Sequence, residues 1–344
     1  MITTRELAKL AGVSQSTVSR SLRNSPSISP ETRERIHELA KQNGYKMKSR
    51  GQRDENAADR KAIAVLMTGM SYINPYLESL FQQVFGRIEE TKYIAIHVND
   101  KDRALEYDRV EELIETGIVA GVIIINLHFN PLVHEYLKAQ GVPHVYLQYF
   151  SKDSLEALDI IDTDNYLGGH IATSHLLELG HRRIKVLTSS AFSDQLDSHT
   201  FADRTAGFMA AMYAAGITVS PADISIIVDH DYDECYNYIS DNLSHIRKYD
   251  AVFSHNDTMA IGCINALQDN GIEVPGEISV IGFDGIEHGK FSRPAVTTII
   301  QPVAELADVT VRRLISLMQT PGQTTMRSFI QPSLLLRNST APRK

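Results

Sequence analysis

Five polar residues in the longer part of the chain are of the types that hold a ligand rich in hydroxyl groups: Asp164, Arg204, Asn256, Asp257 and Asp284. They fall at the ends of apolar runs or on the amphipathic stretches that follow, where a cleft would collect them. Carboxylates accept paired hydroxyl hydrogens, a guanidinium donates in a fixed fork, and an amide does both. Two aromatics are placed to stack on such a ligand: Tyr76, in the loop YINPY after the first apolar run, and Tyr232, after the run that ends at Val228. Each polar residue also has a plainer use. Asp164, Asn256 and Asp257 can cap the helices that follow them, Arg204 can form an inter-helix salt bridge, and Asp284 can serve a glycine-flanked turn. Catalytic signatures are missing: there is no GxSxG, HExxH or GxGxxG, and GIEHGKF at Gly285 is one residue short of a phosphate loop, with Phe where Ser or Thr would meet magnesium. Asp229, Asp231 and Asp233 open like a calcium loop, but Glu234 stands where that loop requires glycine. No enzyme, no metal and no cofactor are expected.

At 344 residues the chain exceeds one ordinary core, and its 43% hydrophobic and 22% charged residues are those of a globular protein. Cys235 and Cys263, the two cysteines, supply neither a disulfide framework nor a zinc site. The polar start MITTRELAKLAG and the lack of any long apolar run lead us to expect a soluble, cytoplasmic protein with no membrane contact. The formal charge of −8 hides an asymmetry: residues 1–53 hold 11 Lys/Arg against 4 Asp/Glu, and the remainder 23 against 38. A small basic module on a large acidic body points to nucleic acid.

That basic module reads as helix, turn, helix. Leu7, Ala8 and Leu10 lie on one face, Gly12 suits the positive φ of a tight turn, and Ser14 caps a second run through Val18 and Leu22. Ser29, Pro30 and Glu31 open a third helix through Ile36, Leu39 and Ala40 to Gly44. From Ala62 onward short apolar runs alternate with amphipathic stretches, as βα units with parallel strands do. Strands are expected from residues 62, 93, 120, 142, 184, 224, 251 and 278, and helices over 75–90, 104–117, 166–179, 202–215, 257–270 and 303–318. So much α/β chain implies two lobes, with ligand between them.

The run AKLAGVSQSTVSRSL with SPETRERIHELAKQNGY resembles the head of the LacI/GalR family of bacterial transcription regulators. LLELGHRRIKVL, the Arg-x-x-Gly-Phe of Arg204 to Phe208, HNDTMAIG, VPGEISVIGFDGIE and SRPAVTTIIQP resemble the core of the same regulators. The resemblance implies an α/β protein with a three-helix helix-turn-helix head and a periplasmic-binding-protein-like, two-lobed core of parallel sheets. It places Gln15, Ser16 and Arg20 at base edges, where Gln pairs with adenine and Arg with guanine, and Thr3, Ser14, Thr17, Ser19, Arg23 and Thr32 at phosphates. It makes Arg204 and Asp284 the principal effector contacts, supported by Asn256. The expected division is a head over 1–46, a linker over 47–61 and a core over 62–344. Within the core, the N-lobe takes 62–179 with 291–320 and the C-lobe 180–290 with 321–340, crossing near Gly180, Lys290 and Thr320. Met47 and Lys48 stand where the family has Pro-Asn, and no Leu follows before Leu66, so a minor-groove leucine wedge is not expected.

The expectation is a homodimeric repressor of carbohydrate genes that binds double-stranded operator DNA and responds to a small sugar-like effector. The chain ends without a leucine-heptad helix, hence a dimer rather than a tetramer. Two alternatives stay open: a global catabolite regulator controlled by a phosphocarrier protein, and a solute-binding protein with no DNA role.

Overall fold

The computed structural model describes residues 4–22, 28–43, 45, 62–68, 75–100, 103–125, 130–148, 158–189, 199–227 and 231–343. The 47–61 linker and Gly44 lie outside them. The chain divides into two compact units, Met1–Lys61 with Ala104–Ala120, and Ala62–Arg103 with Gly121–Lys344. The sequence reading had assigned 104–120 to the core.

In the first unit, helices α1 (Thr4–Ala11), α2 (Gln15–Leu22) and α3 (Pro30–Gln42) follow the expected order. Gly12 takes φ +64°, which turns the chain into Ser14, whose Oγ accepts the N–H of Thr17 at 3.1 Å. Ser29 caps α3 in the same way through Thr32 N. Leu7, Ala8, Ala11, Val18, Leu22, Ile36 and Ala40 form the core. Leu10 does not join it and is 56% exposed; Ala11 takes that place, because positions 7, 8 and 11 share one helical face more closely than 7, 8 and 10. Helix α5 (Arg103–Glu115) belongs to this unit from Ala104 onward.

The second unit is built on two six-stranded sheets. The first collects β1 (Ala62–Thr68), β2 (Ile94–Asp100), β3 (Val119–Ile125), β4 (His144–Leu147), β5 (Ile160–Thr163) and β11 (Arg327–Ile330) in the order β11-β5-β4-β3-β1-β2. The second collects β6 (Ile184–Ser189), β7 (Ile224–Ile227), β8 (Ala251–Ser254), β9 (Ser279–Asp284), β10 (Thr297–Ile300) and β12 (Ser333–Leu335) in the order β12-β10-β9-β8-β6-β7. Pairing in the second sheet is parallel except for β12 on β10. Helices α4 (Pro75–Glu89) and α13 (Val303–Gln319) cover the first sheet through Leu80, Val84 and Leu314. On the second sheet, α7 (Asn165–Glu178) and α8 (His199–Ala214) pack on one side, α9 (Tyr232–Asp241) and α11 (Asp257–Asp269) on the other. The remaining helices are α6 (Pro131–Ala139), α10 (Leu243–Ile246) and α12 (His288–Phe291). No helix among the described residues is long and apolar enough to cross a membrane.

The chain passes between the sheets three times, at 164, at 301–302 and at 331–332. These crossings replace the ones expected near Gly180, Lys290 and Thr320. Gly180, at φ +90°, closes the end of α7, Lys290 lies within α12, and Thr320 ends α13. Helix ends resemble linkers in sequence, but here the crossings directly follow strands, so α7 belongs to the second lobe and α13 to the first.

Helices α7 and α8 touch backbone to backbone through two glycines. A Cβ on Gly169 would lie 2.1 Å from the carbonyl oxygen of Arg204, and one on Gly207 2.1 Å from that of Tyr166. Gly169→Ala and Gly207→Ala should therefore each force the helices apart and destabilise the second lobe by about 1–3 kcal/mol. A thermal melt of each variant checks this, and an unchanged melting temperature would contradict the close packing.

Candidate functional sites in the head and between the sheets

In the head, Gln15 opens α2 and is exposed, and Thr17 is half-buried with its hydroxyl 2.8 Å from that of Ser14. Thr32 Oγ1 accepts from Ser29 Oγ at 2.8 Å, so it serves the start of α3. Ser16 and Ser19 lie on α2 but their side chains, with all of Thr3 and Arg23, are outside the described residues. Arg20 forms an ion pair with Asp108 of α5. The N–H group given to Asp108 is not free for a base edge, so the pair competes with DNA for part of the guanidinium.

In the second unit a continuous polar network runs from one sheet to the other. Its centre is Arg204 on α8, 3% exposed. A buried charge must be paired and hydrogen-bonded, and here a ring, two hydrogen-bond acceptors and a carboxylate surround the guanidinium. Its plane lies over the Phe283 ring at 3.6 Å from the centroid, Nε donates to Asn165 Oδ1 at 2.9 Å, and Nη1 donates to the carbonyl of His255. Nη2 stands 3.6 Å from Asp284 Oδ1. Asp284 ends β9 at φ +108°, a backbone conformation uncommon outside glycine and expected at functional turns.

Gln301, at the second crossing, joins this centre to the first sheet. Its Nε2 donates to Asp284 Oδ1 at 2.7 Å, and its Oε1 accepts from Thr163 Oγ1 at 2.7 Å and from Gln148 Nε2 at 3.1 Å. Gln148, with φ +57°, also donates to the hydroxyl of Tyr76. Burial raises the pKa of two carboxyl groups here. Asp284 is pushed up to about 6 by desolvation, against which Arg204 and the Gln301 hydrogen bond work. Asp257 is pushed up to about 8 by desolvation and by the neighbouring Asp284 charge.

The predicted residues thus separate. Arg204, Asp284 and Tyr76 belong to one network. Asn256 stands beside it as the N-cap of α11, its Oδ1 accepting from Met259 N at 2.7 Å. Asp164 caps α7 through Leu167 N at 2.8 Å, at the first crossing. Asp257 is fully buried and accepts the N–H of Ile286 at 2.9 Å, which holds the turn after β9. Tyr76 is not in a loop: Pro75 begins α4, and the ring sits in the core of the first lobe with its hydroxyl alone in the network. Tyr232 lies in the seam of α9 and α11, where its hydroxyl accepts from Asn265 at 2.8 Å and its ring stacks on Tyr236 at 6.1 Å. Sequence reasoning missed Gln148, Thr163, Asn165, Phe283 and Gln301. Gln301 lies within the quoted TTIIQP stretch, so its motif was visible although its role was not. Among the described residues no three His, Cys, Asp or Glu side chains gather to hold a metal.

Residues 3–47 match the model of the bacterial regulatory proteins, lacI family, and residues 173–340 that of the periplasmic binding protein-like domain. The chain thus joins a lacI-family helix-turn-helix head to a periplasmic binding protein-like domain. It is 29% identical to the ribose operon repressor of Escherichia coli strain K12 over 98% of this chain and 100% of that one. To the HTH-type transcriptional regulator MalR of Clostridium butyricum it is 28% identical over 93% of each. Among solved structures, the complex of transcriptional regulator CelR with cellobiose is 25% identical, covers 98% of this chain and 100% of that one, and superposes with a TM-score of 0.72. A LacI family regulator from Enterococcus faecium with bound ribose is 28% identical over 83% of this chain and 100% of that one, with a TM-score of 0.70. With this head and these relatives, the protein is a DNA-binding transcriptional regulator, not an enzyme. The lacI-type head sets aside the reading as a solute-binding protein with no DNA role.

Two outcomes follow for this regulator. Asp108→Asn should tighten operator binding by up to about fivefold at low salt, since a partly exposed ion pair is worth at most about 1 kcal/mol, while Arg20→Ala should lose about 1–3 kcal/mol and relax preference at one base pair; gel shifts on a set of operator variants read both. Asp257 has a folded pKa above its unfolded one, so its contribution to stability is lost as pH rises through about 8. Asp257→Asn should therefore flatten the fall in melting temperature between pH 5 and pH 8, the range between the ordinary carboxylate value and the folded one.

Proposed function

We propose that this regulator represses carbohydrate-use genes in the cytoplasm as a homodimer, and that a sugar in the interlobe cleft controls its grip on operator DNA. The observation that carries this reading is the Arg204 centre. A guanidinium fork held in place by the Phe283 ring beneath it and a carboxylate beside it form the donor and acceptor set that ring hydroxyls require, and the same carboxylate is bonded to the interlobe residue Gln301. The names of similar proteins support it, with ribose and cellobiose bound in two of the solved structures.

Arg204 and Asp284 hold the sugar, with Asn256 and Asp164 at the rim and Tyr76 acting through its hydroxyl. In the head, Gln15, Ser16 and Arg20 read base edges, and Thr3, Ser14, Thr17, Ser19, Arg23 and Thr32 meet phosphates. The mechanism is linkage. A sugar that binds one lobe arrangement better than the other shifts the protein between states with different operator affinity, by as much as its differential affinity and no more.

The test is release of the protein from its operator by ribose or by cellobiose. Arg204→Ala and Asp284→Ala should weaken the response at least tenfold, since losing a charged hydrogen bond costs roughly 1.5–3 kcal/mol, and leave sugar-free operator binding close to wild type. Asp284 must be ionised to accept sugar hydroxyls, so at pH 5, below its value of about 6, sugar affinity should fall about tenfold relative to pH 7.5. Sugar-driven release unchanged in both variants would remove the cleft from the mechanism.

A further inference from the structure

The second lobe carries another polar pocket, at the opposite ends of the strands that lead to Asn256 and Asp284. A cavity of about 280 Å³ opens beside the starts of β6, β8 and β9. Three arginines from separate segments reach it: Arg183 before β6, Arg247 after α10, and Arg343 near the C-terminus. Ile272, Ile278 and Pro275 supply an apolar floor.

The pocket is organised around a buried acid. Asp250 is 5% exposed, and its Oδ1 accepts the backbone N–H groups of Arg182 at 3.2 Å and Arg183 at 3.0 Å. Its Oδ2 stands 3.1 Å from Arg343 Nη1 and 3.6 Å from Arg183 Nε. Asp250 therefore fixes two of the guanidiniums. The third, Arg247, is half-exposed and only loosely paired, 3.8 Å from the half-exposed Glu277. Three arginines face two acids, which leaves one positive charge.

A buried histidine, held neutral by desolvation, stands beside these charges. His181, 3% exposed, has Nε2 3.0 Å from the carbonyl of Ala341, so Nε2 carries the hydrogen. Nδ1 is then an unprotonated acceptor with no hydrogen-bond partner, 3.7 Å from Asp250 Oδ1. Two acceptors facing each other in a buried place are uncomfortable, and a proton between them would relieve both. Negative charge in the pocket favours that proton. Binding an anion there would thus both neutralise the spare guanidinium and satisfy the imidazole.

We propose that this pocket is a second ligand site, for a small molecule bearing a phosphate or carboxylate group, separate from the cleft that holds Arg204. The oxyanion meets the arginine fork, which such groups fit in bidentate fashion, and the rest of the molecule lies on the isoleucines. The test uses the full chain in thermal melts and calorimetry with inorganic phosphate and with citrate, against chloride at matched ionic strength. At about ten times its Kd the binding anion should raise the melting temperature by roughly 3–6 °C. Phosphate acting alone identifies a phosphoryl site, citrate alone a carboxylate site, and both acting a site for either group. Arg247→Gln should weaken anion binding at least tenfold while folding normally, because its partner Glu277 is solvated. Arg343→Gln releases a partner of buried Asp250 and should lower both binding and the starting melting temperature. Asp284→Ala should leave the anion response intact, which separates this site from the sugar cleft. No rise above chloride with either anion, or an equal rise in wild type and Arg247→Gln, would overturn the proposal.

Discussion

A buried guanidinium sets the terms for the second lobe. Arg204 is removed from water, and a lone charge in that position would cost several kcal/mol, so the surroundings must supply partners on every side. They do so from three elements: Asn165 at the start of α7, the carbonyl of His255 after β8, and Phe283 with Asp284 at the end of β9. Helix α8 must then lie close enough to α7 for Nε to reach Asn165, which is what Gly169 and Gly207 permit. The left-handed backbone at Asp284 turns its carboxylate toward both Arg204 and Gln301. Packing, strain and electrostatics at this place answer one requirement.

The three crossings carry the same network. Thr163 precedes the first, and Gln301 lies at the second, so two of the connections between lobes hold side chains bonded into the Arg204 centre. A hinge made this way is not a passive tether. A ligand that competes for Asp284 alters the bond to Gln301, and through it the contacts to Thr163, Gln148 and Tyr76 in the first lobe. Asp284 and the first-lobe residues are thus joined by direct hydrogen bonds through Gln301.

Much of this was legible in the sequence, and the limits have physical causes. The eight strands read from apolar runs are present; β3, β4, β6, β8 and β9 are buried nearly throughout, while the edge strands β2 and β7 are half-exposed and were carried by their β-branched residues. Strands β5, β10, β11 and β12 were not read: they are three or four residues long, and IIDT, TTII, RSFI and SLL have too little pattern to separate strand from loop. Those four flank the crossings, which is why the lobe boundaries shifted. Arg204 and Asp284 were legible by residue type and motif. Gln148 and Gln301 were not, since a glutamine becomes a hub only through what lies across a gap of 153 residues. Tyr232 shows the reverse error, an aromatic in the right stretch whose ring and hydroxyl are both used within a helix seam.

The late strands also fix an order of events during synthesis. The three helices of the head close on contacts among residues 7–40. The first sheet lacks its edge until Arg327–Ile330 is made, and the second until Ser333–Leu335. Domains form as their last pairing segments emerge from the ribosome, and non-local pairings come slowly. A nascent chain therefore holds a finished DNA-reading head well before either sheet of its control region is complete. For that interval the head exists without a cleft to govern it.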